Sequence, residues 1–174
     1  MTEDSGKIER QVDRQDYFER LPEIDRKNIR AIVSTFDEVL REKERRGILK
    51  AVGGTIDKPH PRKDIDITLR LVEEEADKNI DDFPDYLEYS RARYTIFQDI
   101  IREVVSRNQN LEIEEEIEPT IDEEHDNPSI LKNDGTIKIR TKAGTLIEVI
   151  RIPETAEAGE TKPYVLLTEV LKAA

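Results

Sequence analysis

Val52-Gly53-Gly54-Thr55, a basic spacer, and then Asp64-Ile65-Asp66-Ile67-Thr68-Leu69-Arg70-Leu71 form the stretch on which the reading of this chain turns. From Asp64 onward the residues alternate. Ile65, Ile67, Leu69 and Leu71 fall on one face and Asp64, Asp66, Thr68 and Arg70 on the other, the period of a half-buried strand. Just upstream, Ile48 to Val52 reads as a short apolar strand ended by Gly53 and Gly54. Two glycines at a strand end let the backbone approach a phosphate closely, and the amides that follow can face its oxygens. Carboxylates at i and i+2 of a strand project from the same side. Their repulsion turns into coordination when a divalent cation binds between them.

Helices are predicted on both sides of this unit. Between Pro22 and Gly47 the set Ile29, Ile32, Val33, Phe36, Val39 and Leu40 recurs at helical spacing, and Gly47 is a natural stop. A second helix is predicted from near Asp82, with Pro84 in its first turn, to about Asn108; its stripe is Tyr86, Leu87, Tyr94, Phe97, Ile101, Val104 and Val105. Leu111 to Glu118 alternates again. Ile137 to Lys142 and Leu146 to Ile152 read as a hairpin turning at Ala143-Gly144. The expectation is therefore an α+β fold with a mixed sheet of about five strands and helices packed on it. Residues 1–20 read as a charged arm or helix, 21–153 as the domain, and 154–174 as a linker with a C-terminal element that could be strand or helix. Pro119 to Gly135 reads as a long acidic loop.

A chain of 174 residues fits one core, and a net charge of -12 disfavours a surface built to wrap long nucleic acid, so no extended DNA binding is expected. No cysteine occurs, which removes disulfides and thiolate chemistry, so any metal must be held by oxygen or imidazole. The N-terminus lacks the apolar stretch of a secretory signal and no run is long enough to span a membrane; a cytoplasmic location is the expectation.

The pattern apolar-Gly-Gly, nine residues from Thr55 to Lys63, then Asp-apolar-Asp-apolar resembles the signature of the polymerase-beta-like nucleotidyltransferases. In that superfamily the paired acids lie on the strand after the glycines, and a third acid on a later strand of the same sheet completes the metal site. The resemblance implies a nucleotidyltransferase-like fold and in-line attack of an acceptor hydroxyl on the α-phosphorus of a nucleoside triphosphate, ATP among them, with release of pyrophosphate. It implies Mg2+ or Mn2+ held by Asp64, Asp66 and Glu148, and a triphosphate held by Gly53, Gly54, Thr55, Lys58, Arg62 and Lys63. The acceptor is a protein, a small molecule or an RNA end. Lys63 stands where many members have Ser, and no helical module follows the sheet, so this would be a minimal version. Short members also pair with toxin proteins, so a silent interaction or antitoxin-like module, with a protein partner, is the other function to weigh.

Plainer explanations accompany each feature. Asp64 and Asp66 could lie on the solvated face of an amphipathic strand, and Lys58, Arg62 and Lys63 could be ordinary surface cations. His60 and His125 lack partners at ligand spacing and read as surface residues. Glu112, Glu114, Glu116 and Glu118 alternate on one face, and cross-strand pairing with Lys138 and Arg140 would account for them. Glu148 is expected to be the third carboxylate, or else to pair with Arg140 across the hairpin.

Overall fold

The computed structural model describes residues 10–53, 56, 64–72, 83, 85–121, 131–153 and 163–171. In chain order the elements are β1 (Arg10–Gln11), α1 (Arg14–Arg20), α2 (Glu23–Glu42), β2 (Gly47–Val52), β3 (Asp64–Leu71), α3 (Tyr86–Ser106), β4 (Leu111–Ile117), β5 (Thr120–Ile121), β6 (Leu131–Asn133), β7 (Thr136–Thr141), β8 (Leu146–Arg151) and β9 (Pro163–Val170). The chain is α+β. Its principal sheet is mixed and has the order β1-β9-β2-β3-β8-β7-β4, while β5 and β6 make a separate two-stranded ribbon. β3 pairs in parallel with β8 and antiparallel with β2.

The sheet has more strands than the five expected. β1 is two residues long and pairs in parallel with β9, too short to carry a periodic signal. β9 resolves the open choice at the C-terminus in favour of a strand, which lies between β1 and β2 and is continuous with the sheet. The segment read as a charged arm or helix contains the helix α1, whose Tyr17 and Phe18 are buried in the core. Asp13 starts that helix by accepting a hydrogen bond from the amide of Asp16 at 3.0 Å. The presumed acidic loop contains β5 and β6.

α2 follows its predicted stripe, with Ile29, Ile32, Phe36, Val39 and Leu40 fully buried. α3 starts later than expected, at Tyr86, where Asp85 caps the amide of Glu88 at 2.9 Å. Its inward face is Tyr89, Ser90, Arg93, Tyr94, Phe97, Ile100, Ile101 and Val104, so Tyr86, Leu87 and Val105 sit at the margin.

Both helices pack on one face of the sheet, where Leu49, Ala51, Ile65, Ile67, Leu69, Ile147, Val149, Ile137 and Ile139 join them in a single core. The opposite face of the same strands carries Lys50, Asp64, Asp66, Arg70, Glu148, Lys138 and Arg140, none of them fully buried. Gly135 has φ +110°, and a Cβ there would clash with Cδ1 and Cε1 at the ring edge of Tyr94, so only glycine fits where β6 gives way to β7. No helix among the described residues is long and apolar enough to cross a membrane.

Candidate functional site

β2 and β3 form an antiparallel pair whose last register partners are Val52 and Asp66. The chain leaves β2 through Gly53, which adopts φ +89°, a conformation that residues with a Cβ rarely take. A Cβ added to Gly53 would stand 2.7 Å from Oδ2 of Asp66. Gly53 is thus required twice over, for its dihedral and for the room its backbone leaves to the carboxylate. Ile56 is fully buried, its amide donates to the carbonyl of Gly53 at 3.4 Å, and its own carbonyl accepts from Nη1 of Arg20 at 2.7 Å.

On the other side of β3 the parallel register pairs Asp66 with Glu148 and Asp64 with Leu146. Register partners in a sheet share a face. The row therefore runs Val52, Asp66, Glu148, Lys138 across β2, β3, β8 and β7, and Glu115 of β4 follows it. Asp64 begins the neighbouring row, which continues through Leu146 to Arg140. Of the expected site residues, Gly53 abuts Asp66, Glu148 is the register partner of Asp66, and Asp64 begins the next row. Gly54, Thr55, Lys58, Arg62 and Lys63 lie outside the described residues, as do His60 and His125.

The alternative partner expected for Glu148 is corrected. The hairpin register sets Lys138, not Arg140, across from Glu148, with Nζ to Oε1 at 4.0 Å. Lys138 also reaches Glu115 at 3.6 Å. Arg140 turns instead to Glu114, with Nε at 3.0 Å and Nη2 at 3.1 Å from the two carboxylate oxygens. That fork holds the Glu114 carboxyl below its usual range and Arg140 above its own, with the Asp64 charge adding to the latter.

The glutamate row of β4 does not keep to one face. The β4/β7 register shifts between Ile113 and Glu115, so that Glu115 lies across from Lys138 and Glu116 across from Ile137. A bulge of this kind inserts one residue and inverts the alternation beyond it. Glu116 consequently turns to the helical side and takes a bidentate contact from Arg102 of α3 at 2.7 and 2.8 Å. Its carboxyl is held low by that hydrogen-bonded guanidinium.

The donor set on the glycine side of the sheet is all oxygen, which suits a hard divalent cation. As the side chains stand, no group of three or more His, Asp or Glu among the described residues is gathered closely enough to hold a metal ion. Glu148 is turned toward Lys138. The sequence also gave no sign of Lys138 as a neighbour of this set; only the hairpin register reveals it. No family model, curated protein or solved structure matches the chain.

Proposed function

We propose that this chain is a metal-dependent nucleotidyltransferase that moves a nucleoside monophosphate from a nucleoside triphosphate to an acceptor hydroxyl and releases pyrophosphate. The observation that supports the reading most is the close approach of the Gly53 backbone to the Asp66 carboxylate, with Glu148 as Asp66's partner on the next strand. A glycine turn that can cradle phosphate thus abuts a carboxylate that can hold a cation, and a second carboxylate stands in register beside it.

In this reading Asp64, Asp66 and Glu148 would hold Mg2+ or Mn2+, which supplies charge neutralisation at the phosphates and activation of the hydroxyl. The backbone at Gly53 and Gly54, with Thr55, binds the triphosphate through N–H and O–H donors. Lys58, Arg62 and Lys63 neutralise it. Glu148 orients the acceptor hydroxyl and can take its proton.

The test is the melting temperature with Mg2+ or Mn2+ plus each nucleoside triphosphate, followed by label transfer from the stabilising triphosphate into cell extract. Ligands that bind only the folded state raise the melting temperature by mass action. Asp64→Asn and Asp66→Asn should abolish transfer and leave the fold intact, since each relieves a repelling pair. No nucleotide-dependent shift with any base would remove the proposal.

One observation favours a second reading. Lys138 between Glu148 and Glu115, and Arg140 on Glu114, neutralise much of this face without a metal. A silent interaction or antitoxin-like module would have that property. It predicts no response to nucleotide and metal, and no effect of Asp66→Asn on partner binding.

A further inference from the structure

A cavity of about 380 Å³ between α1 and α2 is lined by Arg14, Gln15, Phe18, Arg30, Val33 and Ser34. We infer that it is an oxyanion site for a phosphate or pyrophosphate group.

Both guanidiniums are held in place by groups that leave their charge standing. Nη1 of Arg14 donates to the carbonyl of Leu167 at 2.7 Å, which uses one of its five donors. The Arg30 guanidinium carbon lies 5.0 Å from the centre of the Phe18 ring, a cation–π contact that orients it without neutralising it. Among the described residues neither forms an ion pair with a carboxylate, whereas Arg41, Arg91, Arg102, Arg107 and Arg140 all do.

Among the described residues no acid lines the cavity, in a chain whose net charge is -12. Two of the acids nearby in sequence have partners of their own. Asp13 caps α1, and Glu19 accepts from Nε2 of Gln15 at 3.2 Å. Two like charges lining one cavity repel each other, and a bound dianion offsets that cost. Phe18 and Val33 supply an apolar floor that strengthens the attraction. The Ser34 hydroxyl adds a neutral donor. The volume lies at the small end of ligand pockets and leaves room for a pyrophosphate with water around it.

No described residue of the Gly53 region lines the cavity. Arg14 opens α1, whereas Arg20, which closes it, is the residue that reaches Ile56. The inference therefore stands or falls apart from the proposed transferase activity.

The test is a titration of the intact protein with inorganic pyrophosphate, and separately with inorganic phosphate, in EDTA at fixed ionic strength. The Nε–H signals of Arg14 and Arg30 are followed by nuclear magnetic resonance. Both signals should move together and saturate with one midpoint. Arg14→Gln should weaken that midpoint by roughly tenfold, the weight of one charge-assisted hydrogen bond. Ser34→Glu should do the same while keeping both arginines and their contacts, because it sets a carboxylate one helical turn from Arg30. A linear drift without saturation, or saturation that Ser34→Glu leaves unmoved, overturns the assignment.

Discussion

Gly53 and Asp66 are locked in a steric relationship: the space a Cβ on Gly53 would need is the space that Oδ2 of Asp66 occupies, 2.7 Å away. Gly53→Ala therefore meets two penalties, the positive φ and the clash. Together they should cost on the order of 1–3 kcal/mol. The clash disappears when the carboxylate is removed and the dihedral strain does not, so Gly53→Ala should cost less in an Asp66→Ala background. A double-mutant cycle by chemical denaturation reads the coupling. Full additivity would mean that the two residues do not press on each other.

Lys138 competes with any cation for Glu148. Lys138→Met should lower the half-saturating Mg2+ concentration for nucleotide-dependent stabilisation severalfold. Its two ion pairs are partly solvent-exposed, so stability itself should fall by no more than about 1 kcal/mol. A variant with weaker metal dependence would show instead that Lys138 belongs to the nucleotide site.

Tyr94 is buried against Gly135, and burial, followed by the charges of Glu116 and Glu118, pushes its phenol up to about 12. Its folded value lies above its unfolded one. Stability from this group is therefore complete below about pH 10 and drains away as pH climbs toward 12, where the unfolded chain sheds the proton first. The hydroxyl has no hydrogen-bond partner among the described residues. Tyr94→Phe should leave the melting temperature at pH 7 unchanged or raised and should flatten the alkaline decline. A large loss at pH 7 would reveal a hydrogen bond of consequence.

Arg107 ties the end of α3 to α2 by reaching Glu38 at 2.9 Å and Glu42 at 2.8 Å, with Glu103 alongside at 2.9 Å. The hydrogen bond from Arg107 holds the Glu42 carboxyl below its ordinary 4.5. A depressed carboxyl stabilises above that ordinary value and loses its contribution as pH falls through the lowered one. Arg107→Gln should thus melt earlier at pH 7, and the gap from the parent should close below about pH 4.5 and shrink in high salt. A gap that persists in acid would point to packing of the arginine stem.

What was legible in the sequence follows from periodicity. β3 could be read because Ile65, Ile67, Leu69 and Leu71 alternate along the strand, and α2 because Ile29, Ile32, Phe36, Val39 and Leu40 repeat over about three turns. β9 was ambiguous because Tyr164 to Leu167 is a continuous apolar run with no period of its own. The face of Glu116 was misread because a bulge changes one residue's pairing and leaves no mark in composition. At the candidate site, the adjacency of Asp64 and Asp66 was legible from spacing alone. The partnership of Asp66 with Glu148, and of Glu148 with Lys138, depends on strand register, which a single sequence does not encode locally.

The placement of β9 between β1 and β2 has a consequence for synthesis. Residues near the start of the chain wait for residues some 153 positions later before Arg14 finds Leu167 and Gln11 finds Tyr164. Until Pro163–Val170 has left the ribosome, β2 presents an unpaired edge and α1 has no strand to lean on. Closure of so long a loop is slow relative to hairpin formation. The emerging chain should therefore expose the β2 edge longest, and chaperones that bind extended apolar segments should find it at Ile48–Val52.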